Sequence, residues 1–200
     1  MRAVSLLAAL LWAGCAAIKP PLPSTDPVVE QRARAALRAM CPRGVRLTQR
    51  AIVNAAGRQF SCDGMLQIAA DGGLRMALLA PMGVIAELRA RPDGTTEVVK
   101  TAPSFHESWA RECVAGTARL LFAADEAELR FGRGADGRPV LWREAADGTR
   151  WLYVFSADGG QWQEAEVSQG WQRLLHATGM PGGFRVRGSS FELELRTVGR

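Results

Sequence analysis

Histidine is almost missing from this chain: His106 and His176 are the only two among 200 residues. The side chain best suited to proton transfer near neutral pH is therefore present at two points only. His106 precedes Cys113 by two helical turns, about 10 Å, too far for a nucleophile–base pair. His176 stands among Thr178, Gly179 and Pro181 and reads as a loop residue. GxSxG, HExxH, phosphate-loop and dinucleotide signatures are absent, as are Cys-x-x-Cys and any Cys/His ligand spacing. Acidic pairs such as Asp125-Glu126 read as solvated helix ends. The chain is not expected to be an enzyme, and no catalytic residue, metal site or cofactor is assigned to it.

Lysine is scarce too, with Lys19 and Lys100 alone, so the net charge of +5 is carried by arginine. A charge this mild does not call for a nucleic-acid partner. No apolar run approaches the about 20 residues that cross a bilayer as a helix. Usage is otherwise ordinary for a globular protein, 48% hydrophobic and 22% charged. Together these absences exclude a multidomain enzyme, a polytopic membrane protein, a coiled coil and a collagen-like fibre, leaving one domain.

The N-terminus is the most informative stretch. Arg2 and the short apolar run Ala3 to Trp12 have signal-peptide form. The run ends in Leu11-Trp12-Ala13-Gly14-Cys15, which resembles the lipobox of bacterial lipoproteins and departs from it at Trp12. The resemblance implies that residues 1–14 are removed and that Cys15 is acylated at its thiol. Two or more acyl chains hold a protein firmly to a bilayer. Ala16, in place of Asp, implies sorting to the outer membrane, on its periplasmic face, with that membrane's lipids as partners. Pro20, Pro21, Pro23 and Pro27 make residues 15–27 an extended tether, able to span roughly 35 Å at about 3.1 Å per residue. Beyond Cys15, the odd set Cys41, Cys62 and Cys113 points to one disulfide and one buried thiol. The pairing stays open, with Cys41–Cys113 preferred because both fall on expected helices.

Residues 28–200 then form the domain. Asp26-Pro27 starts a helix, and Val29, Ala33, Leu37 and Met40 mark its apolar face up to about residue 41. From Val45 the period drops to two. Turn signals follow at Ala56-Gly57, Asp71-Gly72-Gly73 and Pro92-Asp93-Gly94. Leu74, Met76 and Leu78 point one way on one strand, and Val84, Ala86, Leu88 and Ala90 one way on the next. Ser104-Phe105-His106-Glu107 has capping-box form and opens a second helix, with Phe105, Trp109, Cys113 and Leu120 on one face. Asp136-Gly137, Asp147-Gly148 and Asp158-Gly159 then recur every eleven residues, the rhythm of an up-and-down meander. Strands over Phe184 to Arg187 and Phe191 to Val198 close it. The expected architecture is α+β: one curled antiparallel sheet of about nine to eleven strands, an unclosed half-barrel. Its N-terminal helix and inserted helix cover the concave side.

Helix, curled meander, inserted helix and returning meander behind a lipobox are similar to the LolA/LolB group of periplasmic lipoprotein carriers and receptors. The stretch Leu74 to Gly94 carries the closest local likeness: a strand, Pro81-Met82-Gly83, an alternating strand and a Pro-Asp-Gly turn. Met180-Pro181 and Phe184 to Leu195 are similar to that group's closing hairpin. The resemblance spans residues 28 to 126 and 178 to 198, and residues 130 to 175 match nothing in it. It implies that the loop Pro81, Met82, Gly83 meets cargo or membrane. An unclosed barrel lined by Leu74, Met76, Leu78, Val84, Ala86, Leu88, Phe105, Trp109 and Leu120 would make a groove of acyl-chain calibre. Its partners would be acyl chains of lipoproteins or a periplasmic carrier, taken up by a monomer. Trp109, Trp142, Trp151, Trp162 and Trp171 are read as core. The alternative is an envelope scaffold whose half-barrel is filled by its own side chains.

Overall fold

The structure is a computed structural model and describes residues 21–40, 43–55, 57–81, 83–91, 95–103 and 126–199. Residues expected in the leader, including Cys15, lie outside them, as do Cys41, Met82, Phe105, His106, Trp109, Cys113 and Leu120. The second expected helix falls there as well.

Chain order begins with a two-residue strand β1 (Leu22–Pro23) and the helix α1 (Pro27–Met40). A first meander follows: β2 (Val45–Ala55), β3 (Arg58–Ile68), β4 (Leu74–Ala80), β5 (Gly83–Ala90) and β6 (Thr96–Thr101). After a 3-10 turn at Glu126–Glu128 comes the second: β7 (Arg130–Arg133), β8 (Pro139–Glu144), β9 (Thr149–Phe155) and β10 (Trp162–Gln169). It continues through β11 (Gln172–Met180), β12 (Gly183–Arg187) and β13 (Phe191–Gly199). All pair antiparallel in one sheet of order β1-β7-β8-β9-β10-β11-β12-β13-β2-β3-β4-β5-β6. The described residues thus hold thirteen strands and one α-helix, where nine to eleven strands and two helices were expected. The surplus comes partly from β1, which no period-2 pattern announces and which exists only because β7 offers it an edge. Leu22 and Pro23 were counted in the tether and belong to the sheet.

α1 starts where its cap permits. Asp26 accepts a hydrogen bond at Oδ1 from the Val29 amide (3.1 Å), and Pro27 takes the first helical position. Ala33 and Leu37 are buried, and the helix packs on β8 and β10. Arg34 secures it, pairing with Glu30 at 2.7 Å and donating to the Leu129 carbonyl at 3.0 Å.

The turns explain the eleven-residue rhythm. Asp136, Asp147 and Asp158 each accept a backbone N–H two residues on, at 3.0, 2.9 and 3.1 Å. The glycine after each has a positive φ, 78°, 78° and 77°. Gly170, eleven residues later still, repeats it at 58°. His176 therefore lies within β11 rather than in a loop. A bulge also corrects the pattern of β5. Leu78 pairs with Ala86, while Leu79 pairs with Val84, so Ile85 is the extra residue. Ile85 packs against the core and Val84 does not join it, because the bulge displaces the strict alternation by one.

Gly159 does more than turn the chain. A Cβ there would stand 2.6 Å from the Val29 carbonyl oxygen, whereas Gly148 has open space around it. Gly148→Ala is expected to destabilise by about 1 kcal/mol, from the left-handed backbone alone. Gly159→Ala should cost clearly more, about 2–3 kcal/mol, by pushing α1 off the sheet. Urea unfolding of both variants measures the difference, and equal losses would remove the helix contact from the explanation.

Candidate functional site

The concave face is built by cross-strand rows. One row runs Leu47, Leu66, Met76, Leu88 and Val98 through successive registers of β2 to β6. Its neighbours are Ile68–Leu74–Ala90 and Gly64–Leu78–Ala86. Leu74, Met76, Leu78, Ala86 and Leu88 are all buried, 4% exposed or less. Around them the side chains are short: Ala51, Cys62, Gly64 and Ala86 form a shallow stretch where a Cβ at Gly64 would find only ordinary contacts. The second meander continues the surface through Leu141, Tyr153, Ala165, Ala177, Val186 and Leu193, in direct register across β8 to β13.

Few polar groups interrupt it. Gln49 is the buried amide on this face, 3% exposed and beside Gly64. At the end where β8 turns into β9, Arg143 shares the inner row with Trp151. Its guanidinium lies 4.1 Å from the indole centroid and pairs with Glu128. That sets a cation and an indole at one margin of an otherwise apolar inner face. Cys62, on the floor, is a free thiol; burial first, then the neighbouring Asp63 carboxylate, pushes it up to about 11.

The convex face is the opposite in character. Arg50–Asp63, Arg75–Glu87, Arg173–Glu166, Arg185–Glu194 and Arg187–Glu192 pair across neighbouring strands. Glu164 takes Arg138 at 3.0 Å and His176 at 3.6 Å, and the Arg138 hydrogen bond holds its carboxyl below the usual range. Such exposed pairs add little stability. Their effect is to keep much of this side of the sheet in water while the other side carries the apolar cluster. Among the described residues no group of His, Cys, Asp or Glu is placed to hold a metal ion.

The inward placement of the β4 and β5 side chains follows their period-2 pattern, Val84 excepted. Pro81 and Gly83 flank a hairpin turn. The tryptophans divide. Trp151 is core and Trp142 and Trp162 are half-buried, but Trp171 stands 91% exposed in the turn between β10 and β11. Continuing the eleven-residue rhythm to Gly170 would have placed it there. Tyr153 and Phe155, both fully buried, were missed, because β9 is apolar on nearly every position and carries no alternation to read.

No family model matches the sequence, and no curated protein matches it. Solved structures do. A LolA superfamily protein from Nitrosomonas europaea superposes with a TM-score of 0.54 at 9% identity, over 85% of this chain and 91% of that one. A domain described as an outer membrane lipoprotein-sorting protein, from Vibrio parahaemolyticus, gives 0.49 at 10% identity, over 85% and 88%. A DUF1329 family protein from Desulfovibrio piger gives 0.43 at 11%, over 86% and 92%. The first of these shows the fold: the chain has the architecture of the LolA/LolB-like group.

The buried thiol offers a check on the floor of the hollow. Iodoacetamide treatment of the native protein near pH 8, followed by peptide mapping, should leave Cys62 unmodified, and denaturant should expose it. Labelling of Cys62 in the native state at the unfolded rate would mean the floor is open to water.

Proposed function

We propose that this protein is a non-catalytic, lipid-anchored lipoprotein of the outer membrane whose concave face takes acyl chains, as a carrier or receptor for lipids or lipidated cargo. The observation that carries the reading is the one-sided sheet. A continuous apolar surface floored by Ala51, Cys62, Gly64 and Ala86 lies behind a convex face of paired charges. Such a surface attracts hydrocarbon without selecting its length, and Met76 adds a side chain that repacks readily. Arg143 at the rim suits a headgroup or the polar end of a lipidated chain. The fold shared with a LolA superfamily protein supports the same reading. Cys15 is the anchoring residue, and the loop Pro81, Met82, Gly83 is the segment that meets cargo or membrane. A disulfide between Cys41 and Cys113 would leave Cys62 as the free thiol that the structure contains.

A filled half-barrel is the second reading, favoured by the deep burial of the inner side chains. The protein would then be an envelope scaffold. Native mass spectrometry of the detergent-free Cys15→Ala chain separates the two. The carrier releases a co-purifying fatty-acyl species, while a bare mass, with no uptake of added phospholipid or palmitate, ends the carrier reading.

Anchoring has its own test. Cells fed a fatty-acid analogue should label the native chain and not Cys15→Ala, whose product should leave the membrane fraction. Equal membrane partition of the two would exclude the acyl anchor.

A further inference from the structure

The two ends of the sheet differ in what their turns carry. One end holds the turns after β3, β7 and β9, with Asp71, Asp136 and Asp158, each bonded to a backbone amide. At the other end stand the turns after β2, β4, β8, β10 and β12. Their residues are Gly57, Pro81 and Gly83, Asp147-Gly148, Gly170-Trp171 and Gly188-Ser189-Ser190. Among the described residues of these turns, Asp147 is the only acid in the second set, against three in the first.

Trp171 is the most exposed of the large apolar side chains among the described residues. The turn that carries it touches its neighbour through two long hydrogen bonds. Gly170 donates to the Gly148 carbonyl at 3.5 Å, and Gln169 donates through Nε2 to the Asp147 carbonyl at 3.4 Å, tying two adjacent turns together. A large indole left in water is costly unless something covers it. Its apolar body and polar N–H favour the headgroup level of a bilayer. At the same end, one hairpin further along the sheet, an open cleft of about 540 Å³ lies between the turns after β2 and β12. Arg58, Arg187, Ser189, Ser190 and Asn54 line it together with Glu192, which pairs with Arg187 at 2.6 Å and leaves Arg58 and the two hydroxyls as the donors facing phosphate oxygens most directly.

We propose that this end of the half-barrel docks on a phospholipid bilayer, with Trp171 at the headgroup–acyl boundary and the Arg58–Arg187 cleft over lipid phosphates. The acidic turns then face away from the membrane. Chain length sets a tight limit on the arrangement, because β1 runs antiparallel to β7 and the chain before Leu22 leaves the sheet at the acidic-turn end, so the tether must double back along the sheet. Leu22 enters the sheet opposite Arg133, whose other partner is Pro139. From that level to the turn after β8 is about 20 Å of strand. The seven residues from Cys15 to Leu22 reach about 23 Å when extended. The proposal stands whether or not the concave face takes an acyl chain, and only the tether comparison rests on the anchoring reading.

The test uses the full chain on phosphatidylcholine vesicles whose acyl chains are brominated near the headgroup. Bromine should quench the red-edge emission of the native protein, and Trp171→Phe should lose that quenching while keeping the native circular dichroism. Arg58→Gln with Arg187→Gln should weaken the quenching without abolishing the fold. Quenching absent in the native protein, or unchanged in Trp171→Phe, overturns the proposal and leaves the tip to a protein partner. The acyl-ligand experiment can fail independently, because it reads the hollow and not the turns.

Discussion

The pairing of β13 with β2 is the constraint on which everything else rests. Phe191 to Thr197 align antiparallel with Ala55 to Gln49 and join two meanders that are otherwise independent. Each meander alone would be a small sheet with one apolar face, of which α1 covers only the part at β8 and β10. Joined, they bring Leu193 beside Val53 and Leu195 beside Ala51, so the two inner faces become one. A slip of one residue would place Glu192 and Glu194 on that face instead. The Arg185–Glu194 and Arg187–Glu192 pairs on the convex side hold the neighbouring strand to the same register.

An open sheet of this length must manage its edges, and it does so with little means. β1 is two residues long, ends in Pro23, and offers almost no template for a further strand. β6, the other edge among the described residues, carries Glu97 and Lys100. Both edges are thus poor templates for a further strand.

The turns carry a division of labour that the strands do not. Strands alternate residue by residue and so separate inside from outside. Turns separate one end of the sheet from the other, since successive hairpins point in opposite directions. Aspartates at one end form side-chain-to-backbone turns and stay hydrated, while the other end bears Trp171 and a cleft with two arginines.

Local chemistry alone determined much of this. The Asp-Gly turns, the α1 cap at Asp26 and the period-2 faces of β3, β4 and β13 are written in near-neighbour residues, and each appears where those residues stand. Three features waited for the tertiary structure. β1 depends on an edge more than 100 residues away in sequence. The β5 bulge follows from fitting β5 to β4, so Val84 and Ile85 trade places with no local sign. The union of the meanders at β2 and β13 brings together segments at opposite ends of the domain. Hydrogen bonds and sterics within a few residues decide turns and faces; strand partners are chosen by what is left unpaired after the chain has folded back.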